Sequence, residues 1–130
     1  MAAQETTSAA LAADTTTFAR ERVQAGLSLL ELARGTDSSE PGVPAERAAE
    51  LSALLQAAAR LLRAGLDALW SAPTAHPRDA DLLEAVSITE HAQRDLFDRL
   101  DAPELPAAYV ARIRTALGVA AGAAATFLAA

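Results

Sequence analysis

The chain contains no cysteine, which excludes disulfides, thiolate chemistry and cysteine-ligated zinc and leaves its redox compartment open. Lysine is absent as well, so all eleven basic residues are arginine. Aromatic residues amount to 4%, and a core so poor in rings must be built from leucine and alanine. Basic charge is in deficit, with a net charge of −6, which argues against nucleic acid or an anionic membrane as the main partner. No run reaches the eighteen or so apolar residues of a membrane span. The uncharged stretch from Thr115 to Ala130 comes nearest, but alanine and glycine make it only weakly lipophilic. The first residues, MAAQETTSAALAADTTT, lack the basic start and apolar run of a signal peptide. Residues 1–13 are therefore expected to be a flexible lead-in, with extension of the first helix through Leu11 and its alanines as the alternative, and the location cytoplasmic.

What is present is helix-forming. Of the 130 residues 52% are apolar, enough for the core of one domain, and alanine dominates the composition, favouring closely set helices over strands. The clearest pattern is PAERAAELSALLQAAARLLRAGLDALWS, residues 44–71. Leu51, Leu55, Ala58, Leu62, Gly65 and Leu69 recur at steps of four and three, the seam of a helix packed on other helices. Ser52, Gln56, Arg60, Arg63 and Asp67 fall opposite. Gly65 stands where leucine is expected, which suggests a close approach by another helix. Pro44 suits a first helical position, and Pro73 enforces a stop.

Three further helices follow from the same reasoning. One spans about 15–34, with Phe18, Ala25, Leu29, Leu32 and Ala33 on one face, Val23, Leu27 and Leu30 extending it sideways, and Arg22 inside its apolar arc. Another covers about 78–101 and carries Leu82, Leu83, Ala85, Val86, Thr89, Ala92, Leu96, Phe97 and Leu100. The last covers about 104–128, with Tyr109, Val110, Ile113, Leu117, Ala120, Ala124, Phe127 and Leu128 inward. Residues 35–43 read as loop, and so do the breaks around Pro73 and Pro77 and around Pro103 and Pro106. Strand-like alternation is absent. The expected fold is all-α, an antiparallel up-down-up-down four-helix bundle of residues 14–130.

Catalytic patterns are weak. A carboxylate-bridged metal pair in a bundle needs Glu-x-x-His motifs, and Ile88 and Pro73 stand where those glutamates would be. No metal or cofactor is expected. In size and topology the chain resembles histidine phosphotransfer modules, whose histidine heads a His-x-x-Lys-Gly pattern. Here His91-Ala-Gln-Arg94-Asp95 puts an aspartate where it would repel a phosphoryl group, so His91 reads as a surface histidine without a catalytic or metal role. Gly35-Thr-Asp37-Ser38 resembles the carrier motif of acyl carrier proteins, but Ser39-Glu-Pro41-Gly42 forbids the helix that must follow.

Polar residues on apolar faces say more. Arg22, Thr89, Glu90, Gln93, Phe97 and Tyr109 are candidates for a buried polar cluster or the polar end of a ligand pocket, with Arg22 and Glu90 as an internal ion pair. Beyond Arg114 the last helix has no charge, so Gly118, Val119, Gly122, Ala125 and Thr126 face outward without a solubilising residue. That strip needs a cover: residues 1–13, a second copy, or another protein. The expected function is a non-enzymatic interaction protein, homodimeric through this strip or docking another protein. Its third helix would offer acidic side chains such as Glu84, Asp95 and Asp98 to a basic partner. The alternative is a bundle that binds a small molecule.

Overall fold

A computed structural model describes residues 2–35, 42–72 and 76–129, the side chains of 2–13 and 42–45 excepted. Four helices dominate: α1 (Ala2–Gly35), α2 (Ala45–Trp70), α3 (Asp79–Phe97) and α4 (Ala107–Ala129). Each packs on its neighbours in the chain, α1 also packs on α4, and neither diagonal pair comes into close backbone contact. Cross-helix contacts run in opposite senses: Ala19 and Val23 meet Gly65 while Gly26 meets Leu62, Arg63 meets Glu90, and Asp95 meets Tyr109. Arg20 reaches Leu128 and Arg34 lies over Gly118. The bundle is up-down-up-down, as the apolar periodicity predicts.

The α2 seam is buried throughout, Leu51, Leu55, Ala58, Leu62, Gly65, Leu66 and Leu69 included. Each such leucine contributes about 1.5–3 kcal/mol by leaving water. Gly65 is where α1 comes closest: a Cβ there would stand 3.0 Å from Val23 Cγ2 and 3.2 Å from the Ala19 carbonyl oxygen. Gly26 is the reciprocal site, 3.0 Å from the Leu62 side chain. Ser52, expected on the polar face, is buried instead.

This close approach decides which face of α1 turns inward. The buried residues are Ala19, Val23, Gly26, Leu27, Leu30 and Ala33, a step-four, step-three seam in which small and large side chains alternate. The face centred on Phe18, Ala25, Leu29 and Leu32 is rotated away from it: Phe18, Ala25 and Leu32 are exposed, Leu32 at 57%. Ala33 of the expected face and the flanking Val23, Leu27 and Leu30 are buried, so the inward side lies at the edge of that face, turned there by the close α1–α2 approach at Gly26 and Gly65. The helix also begins at Ala2 rather than near Thr15, so the backbone of residues 2–13 is helical and continuous with α1. By the register of Arg20 against Leu128, this first part runs past the end of α4 instead of folding back over it.

Two short extended segments were not foreseen. Gly42–Pro44 (β1) and Glu104–Pro106 (β2) pair antiparallel, Val43 opposite Leu105. Each ends in a proline directly before a helix, and a residue that precedes proline is pushed into the extended region. The prolines occupy strand ends, where a missing N–H is tolerated. The pair joins the α1–α2 and α3–α4 connections at one end of the bundle, with Leu105 buried beneath it. In consequence α4 starts at Ala107, and α3 stops at Phe97 and gives way to successive turns through Asp101. At the opposite end the His76 ring packs on Phe127, centroids 5.0 Å apart, while its Nδ1 accepts a hydrogen bond from the Arg78 N–H.

Candidate functional site

The residues singled out by their polarity on apolar faces do not form one cluster. Arg22 is exposed, with its guanidinium 4.7 Å from the centre of the Phe18 ring. Its expected pairing with Glu90 does not occur, because Arg22 turns outward with the rest of the misjudged α1 face. Glu90 takes its cation from α2 instead. Arg63 donates from Nη2 at 2.6 Å and from Nε at 3.1 Å to the two carboxylate oxygens, and the hydrogen-bonded carboxylate raises the Arg63 pKa above its ordinary value. Gln93 lies half-buried along the same α2–α3 groove, with Gln56, Arg60 and Arg94. Phe97, the last residue of α3, is 63% exposed. Thr89 is fully buried, and its hydroxyl has no hydrogen-bond partner among the described residues.

Tyr109 belongs to a second groove, between α3 and α4. Its ring is 4% exposed, and its hydroxyl donates to Asp95 Oδ2 at 2.6 Å. That hydrogen bond holds the Asp95 carboxyl below the usual carboxylate range, helped by the charge of Arg99. Burial, reinforced by Asp95, pushes the Tyr109 phenol well above its ordinary value. The guanidinium of Arg99 stands 4.2 Å from the centre of the Tyr109 ring and that of Arg112 stands 5.7 Å from it. Ile88, Ala92, Ile113 and Ala116 line the groove beyond, with Ser87 and His91 at its edge. Its volume is about 600 Å³.

Sequence reasoning found Tyr109 but neither arginine against its ring. The signal was local: Asp95 and Arg99 are four apart, and Tyr109 and Arg112 three apart, spacings that share a helical face. The acidic side of α3 is partly answered from within the chain, by Arg78 on Asp81 at 3.7 Å and Arg99 on Asp95 at 3.4 Å. His91 is exposed, and among the described residues no group of three or more histidine, aspartate or glutamate side chains could hold a metal ion.

The uncharged strip of α4 divides in two. Gly118 is half covered, because the Arg34 guanidinium lies 3.6 Å from where its Cβ would be. Further along the strip is open: Val119 is 48% exposed, Ala125 and Thr126 are exposed, and a Cβ on Gly122 would meet nothing within 4 Å. The Thr126 hydroxyl donates to the Gly122 carbonyl at 2.9 Å, which satisfies its proton within the helix. Among the described residues no helix is long and apolar enough to cross a membrane. Compared with known proteins, the chain matches no family model and has no significant match among curated proteins or solved structures.

Proposed function

We propose that this chain is a non-enzymatic interaction module that docks through the open strip of α4, with a second copy of itself as the first partner. The observation that carries this reading is the surface at Gly122: an uncharged part of the helix with an open glycine beside the half-exposed Val119 and the exposed Ala125 and Thr126. In the open part of the strip Gly122 and Thr126 are four apart and both exposed, the small-residue spacing by which helix backbones come together, best attested between membrane helices. Val119 adds a hydrophobic contribution once covered, and the Thr126 hydroxyl already has an acceptor in its own helix, the Gly122 carbonyl. Twofold association of one strip with its own copy needs no other component and is the commonest symmetry of assembly. Residues 2–13 leave the strip free, since their helix runs beyond the end of α4.

Light scattering tests the proposal on three proteins: the full chain, a chain lacking residues 1–13, and Gly122→Arg. The expected result is a dimer for the first two and a monomer for the third. A full chain that stays monomeric at high concentration overturns it, as does a Gly122→Arg variant that remains dimeric.

A further inference from the structure

The α3–α4 groove has an arrangement that the bundle itself does not require. Two guanidinium groups, from Arg99 and Arg112, stand against one buried tyrosine ring. The groove lining supplies a single carboxylate, Asp95, already engaged by the Tyr109 hydroxyl and Arg99. One positive charge on the lining is thus uncompensated, in a chain whose net charge is −6. Two like charges at one ring repel each other, and an anion between them would relieve that repulsion. Arginine presents a planar fork of N–H donors suited to a carboxylate.

The groove is also polarised along its length. Since Asp95 of α3 faces Tyr109 of α4 and the helices are antiparallel, the arginine end lies near the paired strands. Ile88 and Ala116 lie toward the other end. From position 95 to position 87 is about 12 Å at the helical rise. Apolar side chains floor this span, and a volume of about 600 Å³ is that of a site for a small organic molecule.

We propose that this groove binds a small amphipathic carboxylic acid: the carboxylate between Arg99 and Arg112, the apolar body over Ile88, Ala92, Ile113 and Ala116. Charge complementarity selects the head, and the apolar floor selects the body. Tyr109, fixed by its bond to Asp95, holds the Arg99 side of the clamp in place. The site is separate from the strip of α4 around Gly122, and its occupation does not depend on self-association.

The probe is 2-naphthoate, titrated into the full chain and followed by amide chemical shifts and calorimetry, with 2-naphthamide as its uncharged counterpart. The expected outcome is saturable binding, with shifts concentrated at residues 88–95 and 109–116. Naphthamide and Arg112→Gln should each weaken binding at least tenfold, with the thermal melt of Arg112→Gln unchanged. Arg112→Lys, which keeps the charge but not the fork, should fall between. Shifts scattered over the molecule, equal affinity for naphthamide, or undiminished binding by Arg112→Gln would overturn the proposal. So would a peptide with a free C-terminal carboxylate binding the same residues more tightly than naphthoate, since the occupant would then be a polypeptide end.

Discussion

Two side chains in the α3–α4 half of the bundle show how differently a hydroxyl can behave according to its partners. Tyr109 is buried but paired, and its hydrogen bond to Asp95 is to an ionised acceptor. Because Asp95 is partly exposed and shared with Arg99, Tyr109→Phe should cost about 1 kcal/mol at neutral pH. The pH dependence follows from the two shifts. The Asp95 pKa is lowered in the fold, so its contribution is complete above the unfolded value near 3.9 and disappears as pH falls through the lower folded value. The Tyr109 pKa is raised, so its contribution holds below about 10 and is lost as pH climbs toward the folded value. Denaturant melts of wild type and Tyr109→Phe should therefore differ most between those limits and converge toward both extremes; a gap independent of pH would refute the link. Thr89 is the opposite case, a hydroxyl fully buried with no partner among the described residues. Thr89→Val keeps the shape and removes the unpaired group, and should raise stability by about 1 kcal/mol, roughly 4 °C in Tm. A loss on calorimetric scanning would mean that the hydroxyl is satisfied in solution.

The helices make a similar contrast through their glycines. Gly65 is enclosed by α1, and Gly65→Leu should cost about 1–3 kcal/mol by overpacking, with helix propensity too small to compensate. Gly122 faces open space, so Gly122→Ala should gain about 0.5–1 kcal/mol in the monomer. Thermal melts run at low concentration, where association does not contribute, distinguish these opposite signs. The α2 seam and the inward residues of α4 were legible in the sequence because large apolar side chains mark them at the helical period. The inward face of α1 was legible only in part: Val23, Leu27, Leu30 and Ala33 could be placed on or beside it, but Ala19 and Gly26, which set its rotation, carry almost no hydrophobic signal. The paired strands were hidden for another reason. Three residues each are too few to show alternation, although Gly42-Val-Pro-Ala45 and Glu104-Leu-Pro-Ala107 enter their helices with the same Pro-Ala step. The candidate groove was half legible: Tyr109 could be placed on an inward face, but partners on another helix depend on a register that no single helical wheel contains.

At the scale of the molecule, the chain is two helical hairpins, α1–α2 and α3–α4, laid side by side. Residues 71–78 join them at one end, and the β1–β2 pairing joins them at the other. A pair of hairpins linked at one end alone could swing apart like the covers of a book and expose the leucine core. Here the second fastening lies opposite the covalent spine, so opening along that hinge must first break the strand pairing and uncover Leu105. The covalent link thereby becomes dispensable for holding the halves together. A chain nicked between Ala72 and His76 should retain its helical circular dichroism and elute as one species, the two pieces complementing each other. Dissociation of the nicked pieces at micromolar concentration would show that the spine, and not the clasp, keeps the book closed.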